Sequence, residues 1–497
     1  MTIPGIVRAL EQADSFREAL DGAASDVDFS AVTGLDAPLL AALLERRVAS
    51  GRPPVLLLVA PTGRRAESIG AALQCLLPQA AVRHLPAWET LPHERLSPSA
   101  ETVGRRLSVL REAADWDGRT PLVVTASVRG ALQPIAAGLT DAGVVRLELG
   151  SRGQELDDIV HRLVDLAYHR VDMVSRRGEF AVRGGILDVF PPVADHPYRV
   201  DFFGDEIDQI RAFSVADQRS LPGDVRDVTL LPSRELLLTD AVRERAAGLR
   251  DRMPGLGTML EKMSEGIPVE GMESLLPAVA DAVLPLVDYL PEGAAVAVVD
   301  PERAVTRAMT LSETNREFLE AAWSAATAGA DSPVDLGAGD FLTLPELREA
   351  ASARGGVWWS LSTFDSGAAD AAEEGLVDRA DAAVRIPATA VPSFQGNVEG
   401  ASEHIGNLLG AGWRVVVAAS GSGLVDRSRD VLSERGLAAR TADTLTDVPE
   451  PGVAVSTVAT LEAGFLFADA KLAVFTESDF YGRTIGGDNR VVKKLAS

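Results

Sequence analysis

The sequence predicts an α/β protein in three pieces. The first is a degenerate P-loop-type parallel sheet domain, the second a small antiparallel α+β domain inserted in it, and the third a compact α/β domain that follows. Three observations carry this reading. Val55 to Val59 is a continuous apolar run followed by Pro61-Thr62-Gly63 and a helical pattern through Leu77, one strand and helix of a parallel sheet, and Pro121 to Thr125 begins a second such step. After Val145 the apolar period shortens to two: Tyr198, Val200 and Phe202 fall on one face of a strand, with Arg199 and Asp201 on the other, as in a half-buried antiparallel sheet. From Trp413 to Ala419 the continuous apolar pattern returns, followed by a helix over Leu424 to Arg435 and strands at Val453 to Thr457 and Leu472 to Thr476.

Composition limits the function classes. A chain of 497 residues has room for about three domains, since single cores stop growing near ~250–300 residues. Apolar residues make up 46%, enough for packed cores. A net charge of −24 excludes binding to polyanions through bulk electrostatics, so any nucleic-acid contact needs a local basic face. The single cysteine, Cys75, rules out a disulfide framework and points to a reducing cytoplasm. The start MTIPGIVRALEQADSF lacks the basic and apolar regions of a secretory signal, and no apolar run approaches the ~20 residues of a spanning helix. His84, His93, His161, His169, His196 and His404 are scattered without zinc-ligand spacing, and Glu373-Glu374 sits in an acidic loop where solvated carboxylates are the rule. No catalytic constellation and no metal site are expected.

Along the chain, helical spacing covers Ile6 to Ala19 and Ala37 to Val48. The inserted domain is placed at residues 146–227, between two halves of the first domain at 1–145 and 228–387. Inside it, Phe180 and Val182 lead into Arg183-Gly184-Gly185, a strand resumes at Ile186, Leu187, Val189 and Phe190, Pro191-Pro192 stop it, and Gly204-Asp205 closes a hairpin. Thr229 to Leu238, TLLPSRELLL, reads as a strand followed by a helix start. Ala325 to Asp340 and Gly367 to Asp381 are small-residue, acidic loops. Trp358-Trp359 reads as core packing. The second α/β domain spans 388–483, and 484–497 is a linker. Its SGSG, Ser420 to Gly423, lacks the third glycine and the acidic ribose ligand of a dinucleotide loop, so a tight strand-to-helix turn is expected.

A family resemblance rests on specific blocks. RRGEFAVRGGILDVFPP, Arg176 to Pro192, and YRVDFFGDEIDQIRAF, Tyr198 to Phe213, closely resemble segments of the bacterial nucleotide-excision-repair subunit UvrB and of the transcription-repair coupling factors. LPAWETLPHERLSP at Leu85 to Pro98 and FTESDFYGR at Phe475 to Arg483 resemble the coupling factors in particular, and Glu270-Gly271-Met272-Glu273 resembles the step that returns the UvrB chain to its first domain. The resemblance implies that the inserted domain docks UvrA, the damage-sensing subunit. Arg170 and Arg183 keep the charge of two contact arginines, whereas Ala181 stands where UvrB has another; Arg177, Phe190 and Phe202 are the neighbours expected to share the contact. It also implies that this chain is a fragment of a longer ATP-dependent DNA translocase. RNA polymerase and double-stranded DNA would be bound by the missing parts, ATP and Mg would sit in the missing motor, and the C-terminal end would mask the inserted domain until engagement. No cofactor of its own and no membrane contact are expected.

A phosphate-binding loop needs G-x-x-x-x-G-K-[ST], with glycines so that backbone amides wrap the phosphates, lysine to neutralise them and a hydroxyl to hold magnesium. With Thr62 and Gly63 on the family's Thr-Gly step, Ala60 and Arg65 replace the two glycines, Ala66 the lysine and Glu67 the hydroxyl residue. Such a loop is not expected to hydrolyse ATP. Between Leu85 and Leu107 only Trp88 is aromatic, so UvrB's DNA-gripping hairpin has no counterpart.

Three function classes follow. The favoured one is a non-catalytic module that recruits UvrA to stalled RNA polymerase, presenting Arg170, Arg176, Arg177, Arg183, Arg199 and Arg211 as planar forks for carboxylates. The bland account of those arginines is a solvated face paired with Glu179, Asp201 and Glu206, each pair worth about 0–1 kcal/mol. The second class is an ATP-dependent helicase or ATPase fragment with residual nucleotide binding. The third is a dinucleotide enzyme built on the SGSG turn.

Overall fold

In a computed structural model, which describes residues 2–21, 24–91, 94–327, 341–363 and 382–482, seven parallel strands form the first sheet. Their spatial order is Ala382–Arg385, Val27–Ser30, Val357–Ser362, Ala295–Val299, Val55–Ala60, Leu122–Ser127 and Ala81–Leu85. Helices cover both faces, which is why Val55–Ala60 is buried at every position and reads as an unbroken apolar run. Leu56 and Leu58 join one core with the N-terminal helices, while Val55, Leu57 and Val59 join the other. Trp359 and Trp358 divide in the same way, both buried and on opposite faces.

The expected helix over Ile6 to Ala19 is two helices, Gly5–Leu10 and Asp14–Asp21. Arg17 explains the break, because its guanidinium donates to the carbonyls of Glu11 (2.9 Å) and Gln12 (3.3 Å) that a continuous helix would have used internally. The first residues also pair far along the chain: Gly5 N donates to Leu445 O (2.8 Å) and Leu445 N to Thr2 O (2.9 Å). Ile3 and Ile6 consequently share one core with Phe465, Phe467 and Leu472 of the following domain.

The chain leaves the first sheet after Leu122–Ser127 and re-enters it at Ala295–Val299. Between them lies a five-stranded sheet ordered Glu206–Ala212, Tyr198–Phe203, Ile186–Val189, Glu179–Arg183 and His169–Arg170. Gly184, at φ 61°, makes the turn before Ile186, and Gly204, at φ 65°, the turn before Glu206; both are backbone states open to glycine. The antiparallel ladder of Val145–Glu148 with Asp227–Leu230 straddles the expected limits of the insert, so its closing strands begin and end slightly outside 146–227. After it the expected helix start at Arg234 to Leu238 does not form. Arg234 and Glu235 turn inward to other partners, and the helix begins at Asp240, where the Thr239 side chain accepts from Val242 N. The helices Asp240–Leu249, Gly257–Ser264 and Leu276–Val279, the last entered through the 3-10 turn Met272–Leu275, then close over their own core of Leu236, Val242, Leu260, Met263 and Leu275.

The chain passes from the first sheet to a second between Arg385 and Ala388. That sheet is ordered Ala388–Ala390, Phe465–Phe467, Leu472–Thr476, Arg414–Ala419, Ala454–Val458 and Ala439–Ala442, parallel except at the first two pairings. Of the expected loop at Ala325 to Asp340, the first three residues continue the helix Pro301–Thr327. The rest of it, the loop at Gly367 to Asp381 with Glu373-Glu374, His93 and the expected linker lie outside the described residues. Among the described residues no helix is long and apolar enough to cross a membrane.

One buried ion pair locks the insert's return strand to the first domain. Arg106 and Glu235 are both fully buried, with Nε to Oε1 at 2.5 Å; Trp88 Nε1 donates to the same oxygen (2.9 Å), and Arg106 also donates to Pro86 O (2.9 Å). Removing one partner strands the other charge without water. Glu235→Ala is expected to cost ~3–5 kcal/mol in denaturant unfolding, and a loss below about 1 kcal/mol would contradict this account.

Candidate functional site

The degenerate loop is folded shut by its own side chains. Thr62 caps the helix Gly63–Leu76, its hydroxyl accepting from Arg65 N (3.3 Å), so the turn is a tight helix start. Ala60 and Ala66 are wholly buried, and Glu67 is largely exposed with its carboxylate 3.5 Å from His84. Arg65, in the second-glycine position, turns its guanidinium into a cage of three carboxylates. It meets Asp36 at 2.5 Å, Asp300 at 3.2 Å and also Glu462, with its side chain only 10% exposed. Burial pushes the Asp36 carboxyl up to about 8; Arg65 opposes that rise and the neighbouring Asp300 adds to it.

The cage was not legible in the motif. Asp36 opens the helix Asp36–Ala49, Asp300 follows the strand Ala295–Val299 in a left-handed conformation at φ 51°, and Glu462 comes from the second α/β domain. The only local signal is an aspartate closing a buried strand, where first-sheet side chains converge. The same domain contact admits no side chain at Gly34, where a Cβ would stand 2.7 Å from Ala463 O.

The SGSG turn is closed similarly. Ser420 donates from its N (2.9 Å) and its hydroxyl (2.7 Å) to Glu477, so the chain's own carboxylate sits on the amide a phosphate would need. Helix Ser422–Glu434 follows at once. Among the described residues no group of three or more histidine, cysteine or acidic side chains is arranged to hold a metal ion.

Within the LPAWETLPHERLSP segment Trp88, Glu89 and Ser97 are tied to neighbouring elements. Trp88 is buried on Glu235, Glu89 accepts from the Ser99 and Thr102 hydroxyls, and the Ser97 hydroxyl donates to Glu273 (2.5 Å) while accepting from Gly271 N (2.8 Å). Arg234 completes this joint by pairing with Glu273 at 3.0 Å.

In the inserted domain the six arginines separate into two groups. Arg199 forks onto Asp188 (2.7 and 2.8 Å) and stacks over Phe213, and Arg211 pairs with Asp201 at 2.5 Å. Arg177 bridges to Glu101 of the first domain (3.2 Å), donates to Ala194 O and covers the Phe190 ring. These three are spent internally. Arg170, Arg176 and Arg183 are exposed and have no carboxylate partner among the described residues; Arg183 donates to Asp172 O (2.5 Å). Two of the expected contact residues are less open than these exposed arginines. Phe190 is only 6% exposed, packed with Ala181, Val174 and Phe213 under the Arg177 guanidinium. Phe202 is half-buried against the insert's core. Sequence reading missed the exposed apolar residues of the insert, Phe203 (80%), Met173 (55%) and Ile186 (37%), with Leu149, Val164 and Val193 also exposed. Extending the strand alternation by one residue past Phe202 would have found the first.

Comparison with known proteins agrees with the motifs. A family model described as the UvrB interaction domain matches residues 145–236. The transcription-repair-coupling factor of Mycobacterium bovis is 40% identical over 506 residues, covering 97% of this chain and 39% of that protein. The factor of Myxococcus xanthus is 36% identical over 44% of this chain and 19% of its own length. UvrABC system protein B of Lactobacillus johnsonii is 35% identical over 29% of this chain and 21% of its own. The chain thus spans about two fifths of the length of the mycobacterial relative it matches.

The cage gives a pH signature. With its folded value near 8 against an ordinary 3.8, Asp36 contributes stability that is full below the lower value and is lost as pH rises toward the upper one. Asp36→Asn is expected to flatten the fall in melting temperature between about pH 4 and pH 8, and an unchanged slope would overturn the assignment. Arg65→Ala is expected to cost ~3–5 kcal/mol at pH 8 and less at pH 5, because the carboxylates can then take up protons.

Proposed function

Because the chain matches an N-terminal region of the transcription-repair-coupling factors, we propose that it is the non-catalytic part that recruits UvrA to stalled RNA polymerase for transcription-coupled excision repair. The observation that carries this reading is the set of exposed, uncommitted arginines, Arg170, Arg176 and Arg183, in the segment that matches the UvrB interaction domain, on a chain whose net charge is −24. A few exposed guanidinium groups on an acidic protein select carboxylates placed by shape over a polyanion, and guanidinium forks hold such carboxylates bidentately. The first domain serves as the scaffold that holds this face. The longer protein would add an ATP-dependent DNA translocase motor that releases the polymerase, with RNA polymerase, double-stranded DNA, ATP and Mg bound there. Masking of the inserted domain by that protein's C-terminal end, and a cytoplasmic setting, belong to the same proposal.

The alternative, an ATPase or helicase fragment with residual nucleotide binding, requires the loop to open and accept a triphosphate. The carboxylate cage around Arg65 and the missing lysine at Ala66 weigh against it.

Two measurements separate the readings. Arg183→Glu is expected to abolish co-elution with UvrA while shifting the melting temperature by no more than about 2 °C, since the side chain is exposed and bonds only a loop carbonyl; retained co-elution sinks the proposal. Isothermal titration with ATP and magnesium is expected to show no binding heat, and micromolar binding would restore the ATPase reading.

A further inference from the structure

We infer that the inserted domain grips its partner through an apolar tip, with Phe203 as the anchor and Met173 and Ile186 beside it around Arg183. The inference rests on the UvrA-docking reading and adds to it the chemistry of the surface that UvrA must offer: an apolar socket with carboxylates at its rim.

The tip is assembled by strand register. Arg183 and Ile186 are paired across the Gly184-Gly185 turn, and Ile186 lies opposite Asp201 on the next strand. Phe202 N donates to Gly185 O (2.8 Å), which brings the end of Tyr198–Phe203 against that turn. The ladder shifts between Asp201 and Phe202, which lets Phe202 sit opposite the buried Ile207 and turn toward the core. Phe203, the next residue, therefore points to the face shared by Arg183 and Ile186, and it is 80% exposed. Arg183 in turn holds Asp172 O, which sets the exposed Met173 at its side.

Exposed apolar residues scattered singly need no explanation, but Ile186 and Phe203 share a sheet face with Arg183, and Met173 follows the Asp172 carbonyl that Arg183 holds; that set has the composition of an interface core, where aromatic, methionine and arginine side chains dominate. The arginine-rich flank is already consumed: Arg199 and Arg211 are paired internally, and Ala181 is buried beneath Phe190 and Phe213. Burial of Phe203 would supply binding that salt does not screen, whereas the arginines supply a screened part.

The test uses the full chain and purified UvrA, with the dissociation constant measured at low and high salt for wild type, Phe203→Ala and Arg183→Glu. Phe203→Ala is expected to weaken binding on the order of tenfold or more at both salt concentrations, with the melting temperature unchanged. Arg183→Glu is expected to weaken it most at low salt. Wild-type affinity for Phe203→Ala alongside loss for Arg183→Glu overturns the anchor and leaves the docking proposal standing. Wild-type affinity for both variants defeats the docking proposal itself. Unchanged UvrA binding with altered self-association of Phe203→Ala would assign the tip to contact between copies of the chain, and so overturns the inference as well.

Discussion

One guanidinium among three carboxylates sets what the first domain can do. A nucleotide loop works by leaving backbone amides and a cation unsatisfied until phosphate arrives. In this chain Arg65 is already satisfied by Asp36, Asp300 and Glu462, and the helix Gly63–Leu76 starts directly at Thr62. Because Glu462 belongs to the second α/β domain, the Arg65 cation ties that domain to the first. The Ser420–Glu477 contact repeats the device in the second sheet, where a carboxylate sits on an amide at a strand-to-helix turn.

The joint between the first domain and the insert works by a related rule. Arg106 and Glu235 are buried without water, and such a pair tolerates no loss of either partner. Around it, Trp88, Glu273, Ser97 and Arg177 fasten the LPAWETLPHERLSP segment and the base of the insert to the helix Ala100–Ala114. These polar groups are engaged at the joint, whereas Arg183 and Phe203, beside the Gly184 and Gly204 turns, face solvent.

Legibility followed the range of the interactions. Val55–Ala60 could be read because a strand buried on both faces must be apolar at each position, and the two hairpins because Gly184 and Gly204 adopt backbone states that other residues resist. The break between Gly5–Leu10 and Asp14–Asp21 could not, since neither proline nor glycine marks it and Arg17 makes it from within. The loss of lysine at Ala66 was visible, but the fate of Arg65 depended on partners brought from three distant segments. Phe190 looked available beside Pro191-Pro192; its burial is decided by Arg177 stacked over its ring and by Val174, Ala181 and Phe213, which the insert's own fold brings together.

The core shared by Ile3 and Ile6 with Phe465 and Phe467 bears on biosynthesis. Ile3 and Ile6 thus find part of their packing only when the chain has been made as far as Phe467. At ~5–20 residues per second, roughly half a minute to a minute and a half separates the two. During that interval Ile3 and Ile6 lack those aromatic partners, although Leu39, Leu43 and Leu73 of the first domain already share their core.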